Sequence, residues 1–321
     1  MIHTSTPTAS ERVKLLKKRS WFIKRVRHFF DALGYLEVDT PCLTRYPASE
    51  VYIDPICAYP FSQNNPYFLV TSPEYYMKRL LLNGSGAIYQ IGSVFRRFEK
   101  GKMHSPEFTM LEWYAPAYSY QKIMQETADF LKFTLEVSKV EFMSFANCFK
   151  EFIDIDILGK DRGKVNIQLS DKITQIDKSA KVPALDFHEK LDYLMSFYIQ
   201  PKLGKNLPII LYDFLIEPGT LAKPNKDDMT AARFEAYYHG IEISNGFLEL
   251  TSHLKITKSL LKANEVRKQK KFLLWPIDDD FLQEMKNELS PTAGVALGID
   301  RLLALTMGKE HINQVRNFSL N

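Results

Sequence analysis

The amino-acid sequence predicts one α+β domain built on a mainly antiparallel sheet with helices on its flanks. Three observations lead to this class. Strand-like runs come in consecutive pairs, 87–94 with 108–114 and 233–238 with 241–250. Helix-like runs with apolar residues at helical spacing stand before, between and after these pairs. Strands joined by hairpins, with helices collected around them, are typical of α+β domains.

The first helix is predicted over 10–33, because Ser10 is a good N-cap residue and Gly34 stands where a C-terminal glycine is expected. The alternating run 35–40 follows and indicates a strand stopped by a proline. Residues 1–9 are polar and are expected to form a disordered tail. The remainder of the chain, 10–321, is interpreted as a single catalytic domain.

The later elements follow from the same patterns. Ser72 and Pro73 stand at helix-start positions, and His239 with Gly240 is a candidate hairpin turn. Residues 144–205 are weakly patterned and are interpreted as an insertion of helices and loops in the same domain. Further helices are predicted over 74–82, 121–137, 257–271, 278–288 and 300–307, and further strands over 67–71, 209–214 and 294–298.

Composition limits the function classes. The chain has 321 residues, 45% of them hydrophobic and 25% charged, with a net charge of +4. This excess is too small for a nucleic-acid wrapper. The three cysteines are an odd number without metal-ligand spacing, so neither a disulfide framework nor a zinc site is expected. No signal peptide and no apolar run of about 20 residues is present. We therefore expect a cytoplasmic protein without a membrane partner.

The first segment with chemical character is FRRFEKGKMHSPEFTMLEWY, residues 95–114. Arg96 stands at the end of a predicted strand, where its fixed fork of N–H donors suits a phosphate. Glu112 and Tyr114 are two apart in the next strand, so their side chains share a face. A surface hairpin with a solvated basic loop is the alternative for this segment taken alone.

The second segment is GIEISNGFLEL, residues 240–250. Asn245, Phe247 and Glu249 are spaced by two and share one face of a strand, which suits a pocket for an alkyl chain with a charged end. Glu242 falls on the other face unless a bulge intervenes. With such a bulge, Glu242 and Glu249 together would form a hard oxygen site for magnesium. The alternative is a hairpin strand with two solvated glutamates.

The third segment is GVALGIDRLLAL, residues 294–305. Its glycines let the backbone approach a ligand closely. Arg301 lies in the first turn of the following helix, where a cation opposes the helix dipole and an anionic ligand such as a phosphate would offset the cost. An ordinary strand-to-helix turn is the alternative.

These segments together resemble motifs 2 and 3 of the class II aminoacyl-tRNA synthetases, and YLEVDTP at 35–41 resembles motif 1, their dimer-forming segment. A homodimer is therefore expected, built on the motif 1 strand and on the apolar stripe of the first helix. The apolar stripe of the first helix is Ile23, Val26, Phe30 and Leu33. The similarity to the class II synthetases covers about 30–135 and 205–308. Strong similarity to the lysyl-tRNA synthetases lies in TSPEYYMKRLL (71–81), HSPEFTMLEWY (104–114) and ISNGFLELT (243–251).

Two features separate the chain from lysyl-tRNA synthetases. Motif 1 arrives by residue 41, which leaves no room for their anticodon-binding OB-fold, so tRNA is not expected as a partner. Ala296 stands where those enzymes usually have glycine. Ala296 and the tryptophan of LEWY are similar to the elongation factor P β-lysine ligases, a truncated group of paralogues. The resemblance implies ATP-dependent joining of (R)-β-lysine, or lysine, to a lysine of elongation factor P.

Two alternatives stay open at this point. One is the same chemistry with another acceptor, either a free amine or a tRNA. The other is a non-catalytic paralogue that binds a lysine-like metabolite.

The implied reaction uses ATP and Mg²⁺. The substrate carboxylate attacks the α-phosphate, and an amine of the partner protein then attacks the acyl carbon, so the first step needs alignment and charge neutralisation. By the resemblance, Arg96 is a catalytic residue on the α-phosphate. Arg301, the other catalytic residue, packs over the adenine or binds the γ-phosphate, and Phe108 stacks on the adenine. The other residues placed at ATP are Arg97, Phe98, Glu99, His104, Ser105, Glu242, Ile243 and Gly298.

The amino-acid pocket follows from the same resemblance. Glu74 would pair with the amine nearer the carboxylate, and Phe247 would pack against the methylenes. Glu242 and Glu249 would hold magnesium or face the substrate. In the empty pocket, Glu74, Glu112 and Glu249 are expected to converge with no cation between them. The distal amine would be received by Glu112, Tyr114, Asn245 and Glu249, and the remaining substrate residues are Ser72, Pro73 and Ala296.

Motif 2 departs from the family pattern. The family usually has R-N-E after the motif 2 phenylalanine, whereas this chain has Arg96, Arg97 and Phe98, with Glu99 one place later. Ser105 also replaces the usual asparagine. Adenine recognition is therefore expected to pass through Glu99 on a shifted loop or through backbone groups.

Overall fold

The computed structural model describes residues 9–48 and 50–318, which form nine α-helices, eleven strands and short 3₁₀ and π turns. The helices are α1 Ala9–Ala32, α2 Glu74–Leu82, α3 Tyr120–Leu135, α4 Phe145–Ile153, α5 Arg162–Ile176, α6 Phe187–Leu194, α7 His253–Gln269, α8 Asp279–Glu284 and α9 Ile299–Thr306. The strands are β1 Leu36–Glu37, β2 Leu43–Thr44, β3 Ile56–Ala58, β4 Tyr67–Leu69, β5 Ile88–Phe95, β6 Glu107–Pro116, β7 Glu141–Ser144, β8 Ile209–Leu215, β9 Thr230–Tyr238, β10 Ile241–Leu248 and β11 Thr292–Gly298.

Eight strands form the main sheet, in the order β1-β5-β6-β11-β10-β9-β8-β7. The strands pair antiparallel except at the two edges, where β1 with β5 and β7 with β8 are parallel. A second, antiparallel sheet contains β2, β4 and β3. The predicted α+β class with a mainly antiparallel sheet is confirmed.

One face of the main sheet carries the largest core. Along β6, Leu111 and Trp113 are fully buried in this core with Val295 of β11, and helices α1, α3 and α9 cover it. Because side chains alternate along a strand, the residues between them point to the opposite face. Glu112 and Tyr114 are therefore left on the other side of the sheet, where a site can form.

The start of the first helix differs from the prediction, whereas its C-terminal glycine behaves as expected. The helix begins at Ala9, so Ser10 lies in its first turn and is not the N-cap. Gly34 follows the helix with a φ of 76°, the left-handed conformation expected of a C-terminal glycine. The predicted strand 35–40 shortens to β1, because only this part pairs with β5. Residues 1–8 of the expected disordered tail lie outside the described residues.

The apolar stripe of α1 is internal. Val26 and Phe30 are fully buried, and Phe30 contacts Tyr89 and Trp113 through its ring. The expectation that Val26 and Phe30 lie at a dimer interface is therefore wrong, because these two side chains already fill the core beneath the sheet. Only Leu33 of the stripe is exposed.

The predicted hairpin turn joins β9 to β10. His239 and Gly240 have φ values of 50° and 75°, and positive φ at both central residues is what a two-residue type I′ turn requires. This turn is confirmed. It fixes the register by which the two strands present their side chains to the site.

Residues 144–205 contain α4, α5 and α6, which pack around a second apolar cluster of their own. The cluster reaches the sheet edge through β8, where Leu211 is fully buried. Helix α5 buries Val165, Leu169 and Ile173, spaced by four, a pattern that the sequence reading left unassigned. None of the described helices is long and apolar enough to cross a bilayer.

Arg267 of α7 fixes the loop 50–54 in place. Its side chain is 1% exposed, its guanidinium donates to the backbone oxygens of Glu50 and Val51 at 3.0 and 2.8 Å, and it pairs with Asp54 at 2.6 Å. A further bond reaches the Leu273 carbonyl at 2.6 Å. A buried guanidinium with all three nitrogens engaged holds a chain segment rigidly. The loop therefore lies above the site as a fixed wall.

Candidate active site

Strand β11 runs through the middle of the site and presents almost no side chain to it. Gly294, Ala296 and Gly298 alternate with core residues and line the cavities on the opposite face. A Cβ on Gly294 would lie 2.4 Å from Cε1 of Tyr114 and 2.6 Å from Oε1 of Glu249. These distances are too short for any real contact, so Gly294 is required for the two side chains to meet above the strand.

The register of the sheet aligns the site residues in rows. Directly opposed residues of antiparallel strands lie on the same face with their Cβ atoms about 5 Å apart. Two such rows cross β10, β11 and β6. They are Asn245–Ala296–Glu112 and Phe247–Gly294–Tyr114.

Two joined cavities lie above this floor, one of about 990 Å³ and one of about 260 Å³. Glu50, Arg96, Asn245 and Ala296 line both cavities, so the two meet at their level. The larger cavity contains Ser72, Glu74, Glu112, Tyr114, Phe247 and Glu249. The smaller contains Glu99, His104, Ser105, Phe108, Glu242, Ile243, Gly298 and Arg301.

Three of the predicted site residues line neither cavity: Pro73, Arg97 and Phe98. Phe98 is 73% exposed and has a φ of 66°, and the Arg97 guanidinium lies 4.5 Å from its ring centre. Their assignment to ATP is therefore not supported by the geometry, because the backbone at Phe98 turns both side chains away. Glu99, the next residue, does reach the smaller cavity.

The acidic pocket holds a cation that the sequence analysis missed. Lys78 is fully buried, with its Nζ atom 2.5 Å from Glu74 and 2.6 Å from Glu249. Burial lowers the pKa of Lys78, but the two carboxylates outweigh it and raise that pKa above its usual value. The expectation that no cation stands between these glutamates is wrong. The available signal was the four-residue spacing from Glu74 to Lys78, which puts both on one face of α2.

Of Glu74, Glu112 and Glu249, Glu112 has no cationic partner at contact distance. It is 2% exposed and accepts hydrogen bonds from the Ser72 hydroxyl at 3.0 Å and the Tyr114 hydroxyl at 2.6 Å. Burial, with Glu74 nearby, raises the pKa of Glu112 from its ordinary 4.5 to about 8, although both hydrogen bonds lower it. Glu74 and Glu249 share the Lys78 ammonium, and a cationic ligand beside Glu112 would favour its ionised form, so the pocket suits a ligand with an amine.

The two glutamates of the expected metal pair line different cavities. Glu242 lies at the start of β10 and lines the smaller cavity, whereas Glu249 follows the end of the strand and lines the larger one. Seven residues of strand separate them by roughly 20 Å. A bulge between Glu242 and Ser244 does occur, and Glu242 lines the smaller cavity together with a different carboxylate, Glu235 of β9.

Glu235 is a second residue that the sequence analysis missed. It lines the smaller cavity with Glu242, and burial, with Glu242 adding to the effect, raises its pKa to about 7 although Arg233 lowers it. Arg233 donates to one of its carboxylate oxygens at 2.5 Å and the Tyr237 hydroxyl donates to the other. The alternation of Arg233, Glu235 and Tyr237 along one strand was the signal that could have found it.

The basic groups of the smaller cavity are held by backbone and buried contacts. Arg301 donates to the carbonyls of Met103 and Glu242 at 3.1 Å each, and its guanidinium lies 3.8 Å from the Glu242 carboxylate. Asp300 is buried, pairs with Arg19 at 2.5 Å and so fixes the start of α9. The orientation of the Arg301 side chain toward the cavity is therefore set by its position at the start of α9. The Glu242 carboxylate is only one of its contacts.

The loop between β5 and β6 is held by the end of the chain. Arg316 donates to the Ser105 hydroxyl at 2.7 Å and to the Glu107 carbonyl at 2.6 Å. Burial and the nearby Arg301 lower the pKa of His104 in this loop. The serine that replaces the usual asparagine thus has an arginine partner from a distant part of the sequence.

Glu112 gives the protein a pH-dependent stability. The folded state keeps this proton up to about pH 8, whereas the unfolded chain loses it near its ordinary 4.5. The folded state therefore binds more protons in this window, and stability falls as pH rises through it. We expect the free energy of unfolding of wild type to fall, relative to Glu112→Gln, by about 1.4 kcal/mol per pH unit in urea titrations.

Glu288→Gln is the matched control for this measurement. The Glu288 side chain is exposed, so its loss should leave the pH dependence parallel to that of wild type. A Glu112→Gln curve that also runs parallel to wild type would contradict the buried-proton account.

The family of tRNA synthetases class II (D, K and N) matches residues 3–321. A relative from Histophilus somni (strain 2336) is 38% identical, covering 98% of this chain and 97% of its own. Relatives from Avibacterium paragallinarum and Enterobacter sp. (strain 638) are 37% and 35% identical, covering 99% and 100% of this chain and 98% and 99% of their own. All three are named elongation factor P–(R)-β-lysine ligase. The chain therefore belongs to the class II tRNA synthetase family (D, K and N), and these three ligases are its relatives.

Proposed function

We propose that this protein activates (R)-β-lysine with ATP and transfers the acyl group to a lysine of elongation factor P. The observation that carries the proposal is the junction of the two cavities. A pocket with three carboxylates and one buried ammonium opens, at Arg96, into a cavity that contains Arg301. The first suits a ligand with two amines and the second suits a polyphosphate. The names of the relatives support the acceptor.

The pocket orients the amino acid with its carboxylate at the junction. Glu112 and Glu249 would receive the distal amine, Glu74 the nearer amine, and Phe247 would pack against the methylenes. The carboxylate then lies beside Arg96, where one of its oxygens attacks the α-phosphorus and pyrophosphate leaves. Arg96 neutralises charge at that phosphorus, and no base is needed because the carboxylate is already ionised.

A magnesium ion fits Glu235 and Glu242 better than the pair expected from the sequence. Two carboxylates in one cavity match the way magnesium is commonly held, with phosphates and waters completing its octahedron. No group of three or more metal-ligating side chains occurs among residues 9–48 and 50–318, so the ion would depend on the nucleotide. When bound, it would neutralise phosphate charge.

The test of the function is ATP–pyrophosphate exchange with each amino acid, followed by transfer to elongation factor P. We expect exchange with (R)-β-lysine, none with norleucine, which lacks the second amine, and acylation of the factor. Arg301→Ala should lose exchange while keeping the melting temperature of wild type. Exchange without transfer would point to another acceptor, and no exchange with any diamino acid would refute the proposal.

Ala296 is proposed to favour the β-amino acid. Its methyl group lies in the row between Asn245 and Glu112 and lines both cavities. One methyl group in a packed pocket is worth about 1–3 kcal/mol, a preference of roughly 10- to 200-fold. We expect Ala296→Gly to narrow the kcat/KM ratio of (R)-β-lysine to α-lysine in exchange assays. An unchanged ratio would show that Ala296 does not set the choice.

We also propose that two copies of the chain associate in the cytoplasm, where a translation factor is modified. The apolar side chains of α1 that the core leaves exposed are Val13, Leu16 and Trp21, and they could meet a second copy. Light scattering should give twice the chain mass at micromolar concentration, and Trp21→Glu should lower it. A monomer mass for wild type would reject this.

A further inference from the structure

The loop 50–54 brings a carboxylate to the place where the two cavities meet. Glu50 and Ile53 of this loop line both cavities, as does Arg96. Arg267 binds the backbone oxygens of Glu50 and Val51 and so holds the loop in this position. The Glu50 side chain is thus placed by the fold at the junction, although neither its sequence motif nor its spacing indicated a role.

The Glu50 carboxylate is not neutralised by a hydrogen-bond or ion-pair partner among the described residues. Its side chain is half-buried, and among the described residues no group lies within hydrogen-bond or ion-pair distance of its carboxylate. Glu74 and Glu249 pair with Lys78 and Glu112 accepts from two hydroxyl groups, although Oε1 of Glu249 has no hydrogen-bond partner among the described residues. Glu50 differs from these three in lining both cavities, so it is an available acceptor at their junction.

The remaining ionisable groups at the junction cannot accept a proton. Among described residues that line both cavities, only Glu50, Arg96 and Arg233 are ionisable. Arginine stays protonated in proteins and has no acceptor. Arg233 is also committed to Glu217 and Glu235, at 3.0 and 2.5 Å. Of these three residues, Glu50 is therefore the one that can accept a proton at the junction of the two cavities.

The second step of the proposed reaction needs such a group. A lysine side chain in water is an ammonium with a pKa of about 10.4, and an ammonium has no lone pair with which to attack a carbonyl carbon. One proton must leave before the nitrogen–carbon bond forms. The bond between the acyl carbon and the phosphate oxygen then breaks and AMP departs, and the second proton leaves with the departing phosphate.

We propose that Glu50 is the general base of acyl transfer, accepting the first proton from the acceptor lysine at the cavity junction and passing it to solvent. This inference rests on the proposed function and deepens it, because it assigns the step that the family resemblance left without a residue. Burial raises the pKa of Glu50, whereas Arg96 and Arg233 lower it. A carboxylate of raised pKa is a stronger base than an exposed one.

The test distinguishes removal of a general base from disruption of the active site as a whole. Enzyme carrying the bound adenylate is mixed in single-turnover experiments with elongation factor P or with hydroxylamine, a nucleophile that is largely unprotonated at neutral pH. For Glu50→Gln, we expect the ratio of transfer to elongation factor P over capture by hydroxylamine to fall about 10²- to 10⁴-fold, the usual contribution of a general base. Glu50→Asp, which keeps a carboxylate, should recover part of the ratio.

Glu288→Gln is the matched control. Glu288 lines neither cavity and its side chain is exposed, so its ratio should equal that of wild type. An unchanged ratio in Glu50→Gln, or an equal fall with both nucleophiles, would overturn the role of Glu50 as a base. Absence of exchange in wild type would instead refute the proposed function itself, so the two failures are distinguishable.

Discussion

The site depends on one constraint, which is that the central strand β11 carries almost nothing on one of its faces. Gly294, Ala296 and Gly298 leave open space above the strand, whereas the residues between them, such as Val295, fill the core below. The flanking strands then supply long polar side chains that converge over the gap. A larger residue at Gly294 would collide with Tyr114 and Glu249, so the shape of the cavity is set by what is missing from this strand.

The second constraint is electrostatic. Burying a carboxylate is costly unless it is paired or hydrogen-bonded, and this pocket contains three. Lys78 offsets part of that cost as a permanent internal cation between Glu74 and Glu249. Glu112 is held by two hydroxyl groups and keeps a raised pKa. The pocket is thus stable enough to fold, and a ligand with two amines would favour the ionised form of Glu112.

Two chemically different steps of the proposed reaction would use the same junction. Activation needs charge neutralisation at phosphorus, for which Arg96 is suited, whereas transfer needs a proton acceptor, for which Glu50 is suited. Both residues line both cavities. The loop that carries Glu50 is fixed by Arg267 on a distant helix, so the geometry of the second step would rest on packing far from the reacting atoms.

The sequence by itself determined the fold class, most of the strands and helices, and the hairpin turn at His239 and Gly240, because these follow from local periodicity and turn chemistry. The sequence also predicted which side chains of β6, β10 and β11 share a face, since this follows from two-residue spacing along a strand. The insertion 144–205 was predicted only as mixed helices and loops, because its helices are amphipathic toward a small local core and not toward the main sheet.

Only the tertiary structure decided the partners. Lys78 lies between glutamates that were expected to have no cation between them. Glu235, and not Glu249, lies near Glu242. Phe98 lies outside the site. Glu50 reached the junction because Arg267, more than two hundred residues away in sequence, binds its loop. The physical reason is common to all four. A periodic pattern specifies direction within one element, but the distance between charges on different elements is fixed only when those elements pack.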